Sequence, residues 1–267
     1  APVDLNLQPC RVGNLETLKE LRDWMAKYVK IAGPGLYELP LGLQMTDPDV
    51  VLSERYGTRL DYIRTLCSLL REAGYEADVV FAADDADDPS EVRRRIMVEK
   101  PNVRAFSVPL CRVRVSKGGF LGFGSDDKTY FVGTENQYAP LGPTAYEGCD
   151  YYDPERGTFG VVTVPDESFR DFSCEKSEYL VREDGAVDLT VENTLQGPGV
   201  GGFRKTYSEI LPEIRSRRYQ AILGQIAQAA SATSDLETDT ESYPARRKFS
   251  CFVPDFATVQ GNAITIQ

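Results

Sequence analysis

The sequence predicts an α+β protein in two parts: a helix packed on an antiparallel sheet over residues 1–163, then a smaller β-rich unit with one long helix over 164–267. Three observations carry this. Residues 58–74 hold an apolar stripe at helical spacing, with a start and a stop signal. The runs 75–83, 103–115 and 128–134 are short, apolar or alternating, and bounded by turn residues, as strands are. Past a composition shift at "VPDESFRD" (164–171), two strand-like runs meet at Asp184–Gly185, a long helical pattern follows, and strands close the chain.

Taken in order, "NLETLKELRDWMAKYVKI" (14–31) is a helix: Asn14 can cap it, and Leu15, Leu18, Leu21, Met25, Tyr28 and Val29 recur at its period. "AGPGLYELPLG" breaks it. Residues 47–57 read as a short helix, capped by Asp47 with Pro48 in its first turn. In 58–74, Thr58 and Asp61 form a capping box, in which a hydroxyl and a carboxylate satisfy the free N–H groups of the helix start. Leu60, Ile63, Leu66, Cys67, Leu70 and Ala73 make the stripe, and Gly74 stops the helix. The acidic run 84–91 reads as a solvated loop, since its spacing is wrong for an EF-hand. A short helix is expected over 91–100 and a glycine-rich turn after Val115, which lacks the Walker lysine of a phosphate cradle. Residues 135–160 read as loop. In the second part a helix is expected over about 206–231, with Pro212 in its first turn. Two strands, 246–255 and 262–267, end the chain.

Composition narrows the function. The 267 residues are 42% hydrophobic, enough for a proper core. A net charge of −11 argues against a nucleic-acid binder. The chain contains no histidine, which excludes a histidine base, a Ser-His or Cys-His pair and a histidine metal site. Six cysteines (Cys10, Cys67, Cys111, Cys149, Cys174 and Cys251) form no CxxC and permit up to three disulfides without requiring any. No apolar run nears the roughly 20 residues of a membrane span. The opening "APVDLNLQPC" has neither a basic n-region nor an apolar h-region, so no signal peptide is expected, and the start reads as a trimmed or mature end. No cofactor or metal is expected.

Together, "YVKIAGPGLYELP", "DPDVVLSERYGTRLDYIRTLCSLLREAGYEADVVFAA", "KTYFVGTENQYAPLG" and "EDGAVDLTVENTLQG" resemble the bacterial transglutaminase-like superfamily of the papain-like cysteine-protease clan, in its multi-domain branch. The resemblance implies a core over about 1–160 and a trailing flanking domain over about 165–267. It also implies a larger, exported protein, periplasmic or extracellular. Active members carry a nucleophilic cysteine two residues after the glycine that matches Gly57, at a helix start that favours thiolate. A histidine on a following strand acts as base and an aspartate orients it. Here the nucleophile position is Arg59, no histidine exists for the strand within 106–112, and the orienting acid's position is Val132.

Guanidinium cannot attack a carbonyl, and a cation is unfavourable at the positive end of a helix. Arg59 either points to solvent or pairs with Asp61 or Glu54, or it lines a surviving cleft and, with Asp61, binds an anion or carboxylate. Cys67 lies on the buried stripe. Cys111, on the strand of the missing histidine, is the leading candidate for a relocated nucleophile. Cys149 is expected as a disulfide partner or exposed thiol, and Cys174 and Cys251 as paired across strands or buried. Three readings follow: a non-catalytic domain binding a polypeptide or cell-wall component, a peptidase or acyltransferase using Cys111, or a structural module that holds neighbouring domains.

Overall fold

The computed structural model describes residues 14–38, 40, 42, 45–84, 103–115, 127–260 and 263–266. The chain is α+β and forms two compact units that divide between Arg170 and Asp171. The expected acidic loop beyond Asp84, the helix over 91–100, the glycine-rich turn over 116–126 and Cys10 lie outside the described residues.

In the first unit, helix α1 (Leu15–Tyr28) is capped by Asn14, whose side chain accepts from the Glu16 N–H. It stops before Val29, and Lys30–Ile31 (β1) instead pairs in parallel with Tyr56–Gly57 (β2). Helix α2 (Pro48–Glu54) is capped by Asp47 and ends earlier than its sequence pattern, because Arg55 turns left-handed at φ 59°. Helix α3 (Arg59–Glu72) has the expected capping box. The sheet runs β5-β4-β3-β6-β7, all antiparallel: β3 (Glu76–Ala82), β4 (Val108–Val115), β5 (Lys128–Val132), β6 (Asp150–Asp153) and β7 (Thr158–Val161). The β6/β7 hairpin lies in a stretch expected to be loop. Its strands are four residues each and are set among glycine and proline, which hides their period.

Strand alternation gives the sheet two different faces. Cys111, Val113 and Val115 of β4 and Val132 of β5 face α3, where Ile63, Leu66, Cys67 and Leu70 close on them. Leu18, Leu21 and Met25 of α1 complete that core. Val108 and Leu110 face the other way, with Val80, Ala82, Phe131 and Val162.

In the second unit, β8 (Phe172–Val181) and β9 (Val187–Gln196) pair through all ten residues of each, joined at Asp184–Gly185 as expected. Gly185 has φ +84°, and a Cβ there would sit 2.0 Å from the Ala257 carbonyl oxygen, so no side chain fits. The helical pattern over 206–231 is not one helix but parts of two, α4 (Gly199–Ser208) and α5 (Pro212–Ile226). Proline explains the break: its ring forces Leu211 to an extended ψ of 148°, and Pro212 then heads α5 without a missing donor being felt. The sheet order is β10-β12-β9-β8, with β10 (Ser231–Ala232), β11 (Glu237–Asp239) alongside β12 (Ala245–Val253), and a separate hairpin β13 (Ala257–Gln260) and β14 (Ala263–Ile266). Val187, Leu189 and Val191 of β9 and Phe249, Cys251 and Val253 of β12 pack with Tyr207, Tyr219 and Leu223 of the helices. Among the described residues, no helix is long and apolar enough to cross a membrane.

Candidate functional site

The start of α3 is built from backbone outward. Asp61 Oδ2 accepts from the Thr58 N–H at 3.0 Å and its hydroxyl at 2.9 Å, while the Asp61 N–H donates to Thr58 Oγ1 at 3.1 Å. Asp61 Oδ1 takes the Thr46 N–H at 2.7 Å, which ties the preceding loop to the same carboxylate. Asp61 is thus buried and consumed by the helix start; it shapes the site rather than reaching a ligand. The Lys30 and Ala32 N–H groups donate to the carbonyls of Arg55 and Gly57, both at 2.9 Å, and so lay the chain from Ile31 onward beside α3.

Between them lies a cleft of about 380 Å³. Gly33–Leu36 form one wall, Thr58–Leu60 the other, and Ser107 and Pro109 line it from the β4 side. Tyr37, at the end of the first wall, donates its hydroxyl to the Phe106 carbonyl at 2.9 Å, which fastens that wall to the entry of β4. Arg59 is exposed in this cleft, and among the described residues it makes no ion pair, neither with Asp61 nor with Glu54. Its charge reaches Tyr146: burial pushes that phenol's pKa up, and Arg59 opposes the rise.

The other residues singled out from the sequence do not join Arg59. Val132 is buried and pairs in register with Cys111, inside the core. Cys111 has no solvent exposure, and its sulfur lies 2.6 Å from that of Cys67. Burial first, and then the Cys67 thiol, push the Cys111 pKa well up, so it stays a neutral thiol. The cleft residue of this strand is Pro109, two positions earlier on the same face. Alternation counted back from Cys111 would have singled it out, but only once β4 was known to present that face to α3. The described lining offers the hydroxyls of Thr58 and Ser107 and the Arg59 guanidinium, and no thiol, carboxylate or imidazole. It can hold an anion and donate hydrogen bonds.

Sequence reasoning also missed a polar centre on the opposite sheet face. Arg112 of β4 donates to Asp78 of β3 at 2.6 Å, to Asp153 of β6 at 2.7 Å and to the Tyr151 hydroxyl at 3.0 Å. The only signal was the alternation in "RVRV", which places Arg112 away from α3 without naming its partners. Among the described residues, no group of three or more metal-ligating side chains is placed to hold an ion. The second unit has a mixed-charge depression of about 330 Å³ between Glu192, Glu237, Asp239, Arg246 and Lys248. Cys67, Cys111, Cys174 and Cys251 are thiols; Cys149 is buried rather than exposed, and Cys174 and Cys251 are not paired across strands. Comparison of the chain with protein-family models, with curated proteins and with solved structures finds no match in any of the three.

Proposed function

We propose that the chain is a non-catalytic transglutaminase-like domain with its trailing α+β unit, part of an exported bacterial protein. The cleft at the start of α3 binds a carboxylate-bearing polypeptide or cell-wall peptide. The observation that carries this reading is Arg59: a cation at the positive end of a helix, exposed in a cleft and without an ion pair among the described residues. Such a charge is unfavourable for the helix and becomes favourable when an anion arrives, because guanidinium and carboxylate form charge-assisted, bidentate hydrogen bonds. Gly33 takes φ +103°, a left-handed conformation that glycine favours, and so shapes the facing wall. The resemblance in sequence supports the choice of ligand class, and the lack of any titratable base in the described lining supports binding without turnover.

The test is an NMR titration of the labelled chain with N-acetyl-Ala-Ala as the free acid and as its C-terminal amide. The acid is expected to shift Arg59 Nε and the amides of Gly33, Gly35 and Leu36, and Arg59→Gln to weaken binding by about tenfold or more. Equal binding of acid and amide, or shifts that map elsewhere, would overturn the reading.

A further inference from the structure

β8 is the outer strand of the second unit's sheet. β9 pairs along one of its edges, and among the described residues no strand pairs along the other. Nearly the whole strand is exposed, including Phe172, Tyr179 and Leu180 at 52%, 53% and 67%. It contains neither proline nor glycine. The strand at the opposite end, β10, is two residues long, the usual protection of a sheet edge. Every second residue of this ten-residue strand turns its N–H and C=O away from β9, and such an edge is a surface to which another strand adds.

We propose that this partner is β8 of a second copy, paired antiparallel about a two-fold axis through Ser177. The order of charges selects partner and register. One face of the strand reads Phe172, Cys174, Lys176, Glu178, Leu180, and within one chain Lys176 Nζ lies 2.6 Å from Glu178 Oε1. Two-fold antiparallel pairing sets residues at equal distances from the centre opposite each other, on the same face. Centred on Ser177, Lys176 faces Glu178 of the second copy and Glu178 faces its Lys176, so both charges are matched twice. Cys174 faces Leu180, and Glu175 faces the Tyr179 hydroxyl side chain. Shifting the centre to Lys176 opposes lysine to lysine; shifting it to Glu175 or Glu178 opposes glutamate to glutamate. Like charges directly opposite destabilise a strand pair. Ser177 is therefore the one centre from 175 to 178 that leaves no like charges facing within the strand. The two sheets then continue into each other, and the interface is the same patch used twice.

The experiment is sedimentation equilibrium of the full chain, whose monomer mass is 29.7 kDa, in reducing buffer over a wide concentration range. A monomer–dimer equilibrium is expected. Lys176→Glu and Glu178→Lys should each weaken it by about tenfold or more, and the double reversal should restore it. Circular dichroism confirms that each variant is folded. In a Cys174→Ser background, Ser177→Cys should link two chains when diamide accepts the two electrons and two protons released by disulfide formation. A monomer at every concentration, a dimer indifferent to both single reversals, or a double reversal as weak as the singles would overturn the proposal.

Discussion

Arg112 and Asp153 form an ion pair at 2.7 Å in which the carboxylate has no solvent exposure. The other oxygen of Asp153 accepts the N–H groups of Glu155 and Arg156, both at 3.1 Å, so this carboxylate also holds the turn between β6 and β7. Arg112→Met keeps the stem and removes the charge, leaving the buried Asp153 without its close partner and with only Arg156, half-exposed and 3.8 Å away. The expected loss is about 3–5 kcal/mol. Arg112→Lys should not restore it, because one ammonium cannot reach Asp78, Asp153 and Tyr151 together. Urea unfolding measures both, and a wild-type midpoint in Arg112→Met would refute the expectation.

Two carboxyls give the fold opposite responses to acid. Burial pushes Asp78 up, but the hydrogen bond and charge of Arg112, with Arg156 and Arg71, outweigh it and hold its pKa below the ordinary 3.8. A depressed carboxyl stabilises the folded state above its unfolded pKa, and that contribution is lost as pH falls through the folded value. Burial pushes Glu135 above its ordinary 4.5, against the opposing pull of its own and Gly133's N–H groups and of Arg22. Its contribution is present below the unfolded pKa and is lost as pH rises through the folded value. Urea midpoints against pH should therefore show a smaller loss below 3.8 for Asp78→Asn, and for Glu135→Gln no destabilisation on going from pH 4.5 upward. Profiles parallel to wild type would refute the two assignments.

Arg59 opposes the dipole of its own helix. Arg59→Glu should raise stability by about 0.3–1 kcal/mol while abolishing carboxylate binding. Arg59→Cys should produce a thiol with a pKa below ~8.5, alkylated faster at neutral pH than any other cysteine of the chain. Peptide hydrolysis should not appear with it, since the cleft residue on the facing strand is Pro109. Thermal melts and alkylation rates against pH read both variants.

The thiols sort by burial. Cys174 is exposed, whereas Cys67, Cys111 and Cys251 have almost no exposure. Brief alkylation of the folded chain should label Cys174 and spare those three, and unfolding should release them. With diamide as oxidant, the pair expected to close is Cys67–Cys111, whose sulfurs are already 2.6 Å apart. Rapid labelling of folded Cys111 would contradict its place in the core.

Local signals made much of this fold legible. The capping box at Thr58 and Asp61, the Asp184–Gly185 turn and the stripe of α3 depend on neighbours in sequence, and each stands where its residues indicate. Pro212 was equally legible as a helix start, but the helical run before it concealed that Leu211 must leave the α region. What stayed hidden depends on register. Arg112 meets Asp78 and Asp153 across 34 and 41 residues, and no period in the sequence reports those distances. The cleft position of Arg59 was one of two readings and came from the resemblance rather than from the helix start; Pro109 and Gly33–Leu36 could be placed there only with the sheet and the β1/β2 pairing in hand.

The start of α3 also determines where this segment can vary. A Cβ at Gly57 would stand 2.9 Å from that of Asp61. Thr58 and Asp61 hold each other's backbone, and Leu60 is buried in the core. Between 57 and 61, position 59 alone is outward and unengaged by the helix cap. Saturation mutagenesis across these five positions should therefore return four nearly closed columns and one open one. Drift through that open column can exchange thiol, cation or acid at the mouth of the cleft while the scaffold around it stays as it is.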